Sequence, residues 1–355
     1  MGLPVPGGAL AEGARALGAP VLVSANAFAV RDEDRAFLRF RAPSAALSGM
    51  DVALDSAGFV AMARYGGYDW TPEQYVTQLV AAFPFTWWSS MDCCVEPEVA
   101  SDRTAVRLRV AETSRMYVEC RRVARDLGLS APLPILQGRT PGDYEFAADL
   151  HPVALDWPDL IGVGSMCRRH TDGPEGLLAV VERLDQVLPS HVKLHLFGVK
   201  SDGCSALMRE AAYSDRIASI DSCAWDFAAR KRYPTGRTME RRVGVMREWY
   251  ERQIANAGEA QSTPQLGLGL ATGSSVQDRA IARLDLPFGS SGHPTDLPDL
   301  LLEEYLDLVA AGEMDAKSAA LMLTHERAYG SCWGDGEDDS AHMGGTADTI
   351  EAIAA

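Results

Sequence analysis

The stretch KLHLFGVKSDGCSALMREAAYSDRIASIDSC, residues 193–223, indicates the fold class of this chain. It contains two apolar, β-branched runs, Lys193–Phe197 and Ile217–Ile220, with a helical pattern over Ala206–Ala212 between them. Buried strands separated by a helix are typical of parallel βαβ units. The second run ends directly before the acidic residue Asp221. The stretch therefore predicts one unit of a parallel α/β fold.

The same pattern recurs through the first two thirds of the chain. It predicts further strands at Val21–Ser24, Phe37–Arg41 (a weaker one), Val52–Asp55, Thr86–Met91, Leu133–Leu136 and Leu160–Val163. Helical patterns lie between them at Thr71–Phe83, Arg103–Asp126 and Gly173–Val187. Counting the weaker strand gives eight units, which favours a (β/α)8 TIM-like barrel over an open doubly wound sheet.

The sequence also indicates how the chain is divided. A length of 355 residues suits one barrel of roughly 250 residues with additions. We expect an N-terminal extension over residues 1–20 and the barrel over residues 21–257. A loop and two C-terminal helices packed on the barrel are expected over residues 258–328, and a Gly/Asp-rich tail over residues 329–355.

Composition excludes several classes of protein. Hydrophobic residues at 47% and charged residues at 23% are ordinary for a globular domain, and the net charge of −16 excludes a uniformly cationic nucleic-acid binder. Seven scattered cysteines without a CxxC pair argue against a disulfide scaffold or a zinc ribbon. No apolar run reaches the length of a membrane span, and no secretory signal is apparent, so we expect a cytoplasmic protein without a membrane partner.

Polar or small residues follow the predicted strands, where the active site of such a barrel forms. They are Asn26, Asp55, Asp92, Gln137, Gly164, Ser165, Lys200 and Asp221. One aspartate at a strand end is commonly a turn or helix-capping residue. Three that converge on one mouth together with a glutamine favour a catalytic site.

Six short motifs at these strand ends resemble the tRNA-guanine transglycosylases, in the same order along the chain. They are DSAGF (55–59), SMDCC (90–94), LQG (136–138), IGVGS (161–165), LFGV (196–199) and SIDSC (219–223). The context WWSSMDCC and HLFGVKSDG is most similar to the DNA-modifying branch, the deoxypurine-in-DNA A (DpdA-type) proteins, which exchange a guanine in DNA for a 7-deazaguanine. The resemblance implies a barrel fold, a base-exchange glycosyltransferase and no cofactor.

The resemblance also implies a role for each matching residue. Asp221 would be the nucleophile that forms a covalent glycosyl-enzyme intermediate, and Asp55 the acid/base. Asp92 would accept from the purine N1–H and amine. Four further residues would complete the base site. Gln137 and a backbone N–H near Gly164 and Ser165 would contact the carbonyl edge, and Phe59 would stack on the ring.

Two features of the tRNA enzymes are missing. Beyond Asp221 the chain has only Cys223 and Cys332, which cannot form their CxCxxC…H zinc site, so we expect no bound metal. The segment AWDFAAR replaces their L-P-T-R. A tRNA substrate is therefore disfavoured but stays an alternative. So do a non-catalytic barrel subunit of such an enzyme and an unrelated barrel enzyme acting on a small metabolite.

A basic segment follows the predicted nucleophile. Residues 226–255 contain eight basic and four acidic side chains on an otherwise acidic chain. A solvated helix shows the same pattern, but the position beside Asp221 favours phosphate binding. The predicted phosphate-binding residues are Arg230, Lys231, Arg232, Arg237, Arg241 and Arg242. The expected partners are DNA, single-stranded or with a flipped base, a free 7-deazaguanine base and further proteins of a DNA-modification system.

Overall fold

Parallel strands alternating with helices make up the structure, a computed structural model that describes residues 1–32, 36–209 and 215–262. The strands are β1 (Gly2–Leu3), β2 (Val21–Ser24), β3 (Ala29–Arg31), β4 (Phe37–Phe40), β5 (Val52–Asp55), β6 (Trp87–Trp88), β7 (Ile135–Leu136), β8 (Leu160–Val163), β9 (Lys193–Leu196) and β10 (Ile217–Ile220). The α-helices are α1 (Gly8–Ala16), α2 (Gly58–Val60), α3 (Pro72–Gln78), α4 (Arg103–Asp126), α5 (Pro141–Leu150), α6 (Leu177–Val187), α7 (Ser201–Arg209), α8 (Ala224–Arg232) and α9 (Met239–Ser262). The predicted mixed α/β class with parallel strands is confirmed. The predicted C-terminal helices and the tail lie outside the described residues.

Eight of the strands form two parallel four-stranded sheets. One has the order β1-β2-β5-β6 and the other the order β10-β9-β8-β7. A parallel bridge between Ser89 and Leu133 links the β6 end of the first sheet to the β7 end of the second. At the other ends, the Gly2 N–H donates to the Ser222 carbonyl oxygen over 3.0 Å. Hydrogen bonds therefore connect the two sheets at both edges.

The predicted strand near Phe37 is wrong as a member of the parallel set. β4 pairs with β3 in a separate antiparallel hairpin. The Asp32 N–H donates to the Ala36 carbonyl oxygen, and β3 ends only a few residues before β4 begins, whereas a crossover to a parallel strand needs about a dozen residues. The hairpin packs on Trp70 through the Phe37 and Phe40 rings. β1 takes the eighth parallel position, a strand of two residues that the sequence analysis missed.

Local sequence explains where several helices begin. Thr71 and Gln74 form a reciprocal capping box at the start of α3, and Thr140 and Asp143 form the same arrangement at α5. A proline occupies the first turn of each helix, where its missing N–H costs no hydrogen bond. Asp102 caps α4 by accepting from the Ala105 N–H over 2.9 Å. These caps satisfy N–H groups that would otherwise lack partners.

Two apolar clusters support the two sheets, and α4 belongs to both. Met116, Cys120 and Ala124 of α4 pack in the cluster under the first sheet. Val110 and Tyr117 pack in the cluster under the second. The spacing of three or four residues presents these side chains along a broad face of one helix.

In the described part of the chain, no helix is both long and apolar enough to cross a bilayer.

Candidate active site

The first carboxylate of the site is Asp55, at the carboxyl end of β5. It pairs in register with Ser24 of β2, and its Oδ2 accepts from the Ala57 N–H over 3.1 Å. Burial, together with the negative charges of Asp92 and Asp221, raises the pKa of Asp55 to about 7. At neutral pH this group therefore exists in both protonation states, which suits a general acid and base.

Asp92 is the centre of a hydrogen-bonded chain of side chains. Its Oδ1 accepts from the Ser56 hydroxyl over 2.6 Å, and its Oδ2 accepts from the Gln137 amide. The Ser165 hydroxyl donates to Gln137 Oε1 over 2.6 Å and accepts from the Val95 N–H over 2.7 Å. Burial raises the pKa of Asp92. Each carboxylate oxygen keeps a further lone pair, so the group can still accept from a bound molecule.

A second contact fixes the backbone at Asp92. The Tyr68 hydroxyl donates to the Asp92 carbonyl oxygen over 3.0 Å and accepts from its N–H over 3.2 Å. Tyr68 also lies 3.0 Å from the Ser56 hydroxyl. Neither Tyr68 nor Ser56 was singled out from the sequence, although Ser56 directly follows Asp55. Asp92 is thus held at its side chain by Ser56 and Gln137 and at its backbone by Tyr68.

Two glycines make room for these contacts. A Cβ built on Gly164 would lie 2.1 Å from Gln137 Nε2, and one on Gly58 would lie 2.5 Å from Asp92 Oδ1. The Gly164 N–H donates to the Leu136 carbonyl oxygen over 2.9 Å within the sheet. Gly164 therefore contributes to the site by leaving room for the Gln137 side chain. Because its own N–H is already bonded within the sheet, the backbone N–H predicted near it would have to come from a neighbouring residue.

Asp221 follows β10 and belongs to the second sheet. The Gly198 N–H donates to its Oδ1 over 2.7 Å, and His195 Nε2 lies 3.7 Å from the same oxygen. The carboxylate is 13% exposed. Since its charge contributes to the raised pKa of Asp55, the two carboxylates from different sheets lie near one another. The described structure therefore brings Asp55, Asp92 and Asp221 together.

Phe59 lies in the short helix α2 beside this cluster. Its side chain is 41% exposed, and the Arg168 guanidinium lies 5.7 Å from its ring centroid. Arg168 also pairs with Glu96 and Glu98. An exposed aromatic face next to buried carboxylates can stack on a planar ring.

The predicted phosphate-binding residues fall into two groups. Arg230 and Arg242 both pair with Asp226, which is 3% exposed, and Arg242 itself is 11% exposed. Arg232 pairs with Glu248 at the surface. The remaining positions are exposed: Lys231, Arg237 and Arg241, of which Arg241 also bonds to the Gly236 carbonyl oxygen. The sequence offered no sign that Asp226 is buried, so the structural role of Arg242 was not predicted.

Within the described residues, no group of three His, Cys, Asp or Glu side chains is arranged to hold a metal ion.

The fold and the site first define a class of protein. Carboxylates gathered at the carboxyl ends of parallel strands, one with a pKa near neutrality, are typical of an enzyme that transfers protons. The family model DpdA, described as DeoxyPurine in DNA protein A, matches residues 13–274, and the chain belongs to this family. The family is one of DNA-modifying transglycosylases, so the resemblance to the DNA-modifying branch is confirmed and DNA is the implied substrate. No curated protein matches the chain.

Proposed function

We propose that this protein exchanges a guanine in DNA for a free 7-deazaguanine (preQ0-like) base through a covalent Asp221 intermediate. The observation that carries the proposal is the pair formed by Asp55 and Asp221. One has a pKa of about 7, and the other presents a carboxylate with one oxygen held by a backbone N–H. The two groups match the acid and the nucleophile that glycosidic exchange requires.

The first half-reaction removes the guanine. An Asp221 oxygen attacks C1′ of the target nucleotide, the C1′–Oδ bond forms, and the C1′–N9 bond breaks. The bonding electron pair leaves with the guanine, which takes the proton of Asp55. A carboxyl group with a pKa of about 7 is protonated often enough at neutral pH to donate at this step.

The second half-reaction reverses these changes with the new base. The ionised Asp55 takes the N9 proton of the incoming 7-deazaguanine, and N9 attacks C1′. The C1′–Oδ bond breaks, and its electron pair returns to Asp221. Two displacements at C1′ give net retention of configuration.

The base lies in the pocket formed by Asp92, Gln137 and Ser165 in this proposal. The hydrogen bonds among these side chains set the direction of the Asp92 lone pairs. These lone pairs accept hydrogen bonds from the purine N1–H and amine, and Phe59 covers the face of the ring. An N–H beside Gly164 reads the carbonyl edge.

We also propose that the eight parallel strands close into a (β/α)8 barrel. The Ser89–Leu133 bridge and the bond from Gly2 to Ser222 connect the sheets at both edges. Across the interior, the Trp87 ring of β6 lies 4.8 Å from the ring of His195 in β9. A closed barrel would direct all the carboxyl strand ends to one mouth.

DNA phosphates are proposed to contact exposed residues at the C-terminal end of α8 and in the segment that follows it. Lys231 and Arg237 are exposed and carry no ion pair with any described residue. Charge reversal at these two positions should weaken DNA binding and reduce its salt dependence by about one phosphate contact each. Arg242 is unsuitable for this test because its loss would also leave Asp226 with one partner fewer.

The central experiment follows labelled guanine, or a labelled 7-deazaguanine, into single-stranded DNA, duplex DNA and tRNA. With no incoming base supplied, the parent should form a denaturation-resistant protein–DNA adduct. Asp221→Asn should abolish both adduct and exchange while DNA binding persists. The matched control is Asp215→Asn, an exposed residue just before the other end of β10.

The same assay tests the alternatives. Incorporation into tRNA alone would establish a tRNA transglycosylase instead. An active Asp221→Asn protein would contradict the covalent scheme. A folded parent that binds DNA but neither forms adduct nor exchanges base would favour the non-catalytic subunit.

A further inference from the structure

His195 has an unusual position for a buried histidine. It lies in the middle of β9 and is 2% exposed. Its Nδ1 lies 2.7 Å from the Ser219 hydroxyl. Its Nε2 has no hydrogen-bond partner in the described part of the chain and lies 3.7 Å from Asp221 Oδ1. A buried polar atom without a partner is costly, and its position calls for an explanation.

Aromatic contacts fix the plane of this imidazole. The His195 ring centroid lies 4.8 Å from that of Trp87 and 4.5 Å from that of Phe197, both in edge-type geometry. These rings offer no acceptor for an N–H in the ring plane. Rotation of the imidazole away from Asp221 is therefore sterically opposed.

The contacts of Asp221 distinguish its two oxygens. Oδ1 accepts from the Gly198 N–H over 2.7 Å and also faces His195 Nε2. Moving His195 about 0.8 Å closer would form an ordinary N–H···O bond to Oδ1. Two donors on Oδ1 leave Oδ2 as the oxygen with its lone pairs available to C1′.

We infer that His195 is a positioning residue for Asp221, which orients the carboxylate so that Oδ2 attacks the sugar. The inference rests on the proposed function. The Ser219 hydroxyl donates to Nδ1, which selects the tautomer with hydrogen on Nε2, and this N–H is directed at Oδ1. Ser219 thus orients His195, and His195 orients Asp221. No proton is transferred among the three residues.

The test measures adduct formation in a single turnover with DNA and no incoming base. His195→Phe should slow adduct formation about a hundredfold, the cost of a misplaced reacting group, with the Kd for DNA unchanged. His195→Gln should recover most of the rate because its amide N–H can reach Oδ1. Ser219→Ala, a change at an exposed hydroxyl, should slow the step several-fold.

His151→Phe is the matched control. His151 is also buried, at 1% exposure, with an unpartnered Nε2 in the described structure, but it packs against Tyr117 and Trp157 instead of Asp221. This variant should form adduct at the parent rate. The comparison separates the loss of any buried histidine from the loss of this one.

Three results would overturn the inference. One is a folded His195→Phe protein that forms adduct at the parent rate. Another is a His195→Gln protein as slow as His195→Phe, which would indicate a packing role alone. If His195→Phe does not fold, a Ser219→Ala protein that forms adduct at the parent rate decides against it. In each case the parent forms adduct, so the proposed function survives, whereas a parent without adduct refutes that function itself.

Discussion

Replacing Asp55 by asparagine should make the fold more stable, and the gain should be larger at pH 8 than at pH 5. The folded protein raises the pKa of this carboxyl from 3.8 to about 7, chiefly by burial. Between those values the native state holds a proton that the unfolded state has lost, so stability falls as the pH rises through this window. From pH 5 to pH 8 the loss amounts to about 3 kcal/mol, at about 1.4 kcal/mol per pH unit. Asparagine is neutral and still accepts from the Ala57 N–H, so the variant escapes this loss.

Thermal unfolding of parent and variant across pH 5–8 measures the effect. The Tm advantage of Asp55→Asn should grow by about 10 °C over that range, at roughly 2–4 °C per kcal/mol for a domain of this size. Contributions of titrating groups that do not interact with Asp55 cancel in the difference. The control, Asp159→Asn, changes an exposed carboxylate before β8 and should show no such growth. A Tm difference that is flat or that shrinks with pH would refute the reasoning, because it would mean that the Asp55 carboxylate is not destabilised by the fold.

Three further changes test the packing around the site. Asp226→Ala should lower the free energy of unfolding by about 3–5 kcal/mol in urea titrations, since it leaves the partly buried Arg242 without its carboxylate; a loss below about 1 kcal/mol would contradict this. Gly164→Ala should slow base exchange at least tenfold because the added methyl displaces Gln137, and exchange at the parent rate would disprove the close contact. Ala57→Gly should raise the Tm by a few degrees, since Ala57 has a φ of +76° that costs roughly 1 kcal/mol for a residue with a Cβ. An unchanged or lower Tm would count against strain at that position.

The sequence predicts best what depends on local pattern. The runs at Val52–Asp55 and Leu160–Val163 correspond to strands with those same bounds, because a short apolar run that ends at a polar or small residue forms a signal within a single window. Asp55 and Asp221 were identified for the same reason. Each of these two carboxylates lies at the end of an apolar run, where a polar residue is easily recognised in the sequence.

What escaped prediction depends on contacts between distant segments. β1 has only two residues, too few for any periodicity, and only its pairing with β2 reveals it as a strand. The hydrogen bond from Gln137 to Asp92 joins residues that are 45 positions apart in the sequence, so no local pattern predicts it. His195 alternates with apolar residues as any buried strand position does, so its distance to Asp221 was accessible only from the structure.

The shared helix α4 has a consequence for how the protein unfolds. Because its residues complete both apolar clusters, neither sheet can lose its packing without disturbing the other. Loss of α4 would weaken the packing of the sheet that bears Asp55 and of the sheet whose last strand precedes Asp221. In amide hydrogen exchange, the backbone of both sheets should open as one cooperative unit with α4, and protection of one half alone should not be observed. The proposed catalytic pair of Asp55 and Asp221 would then form only while the whole unit is folded. On the proposed mechanism, partly unfolded protein would not remove bases from DNA without replacing them.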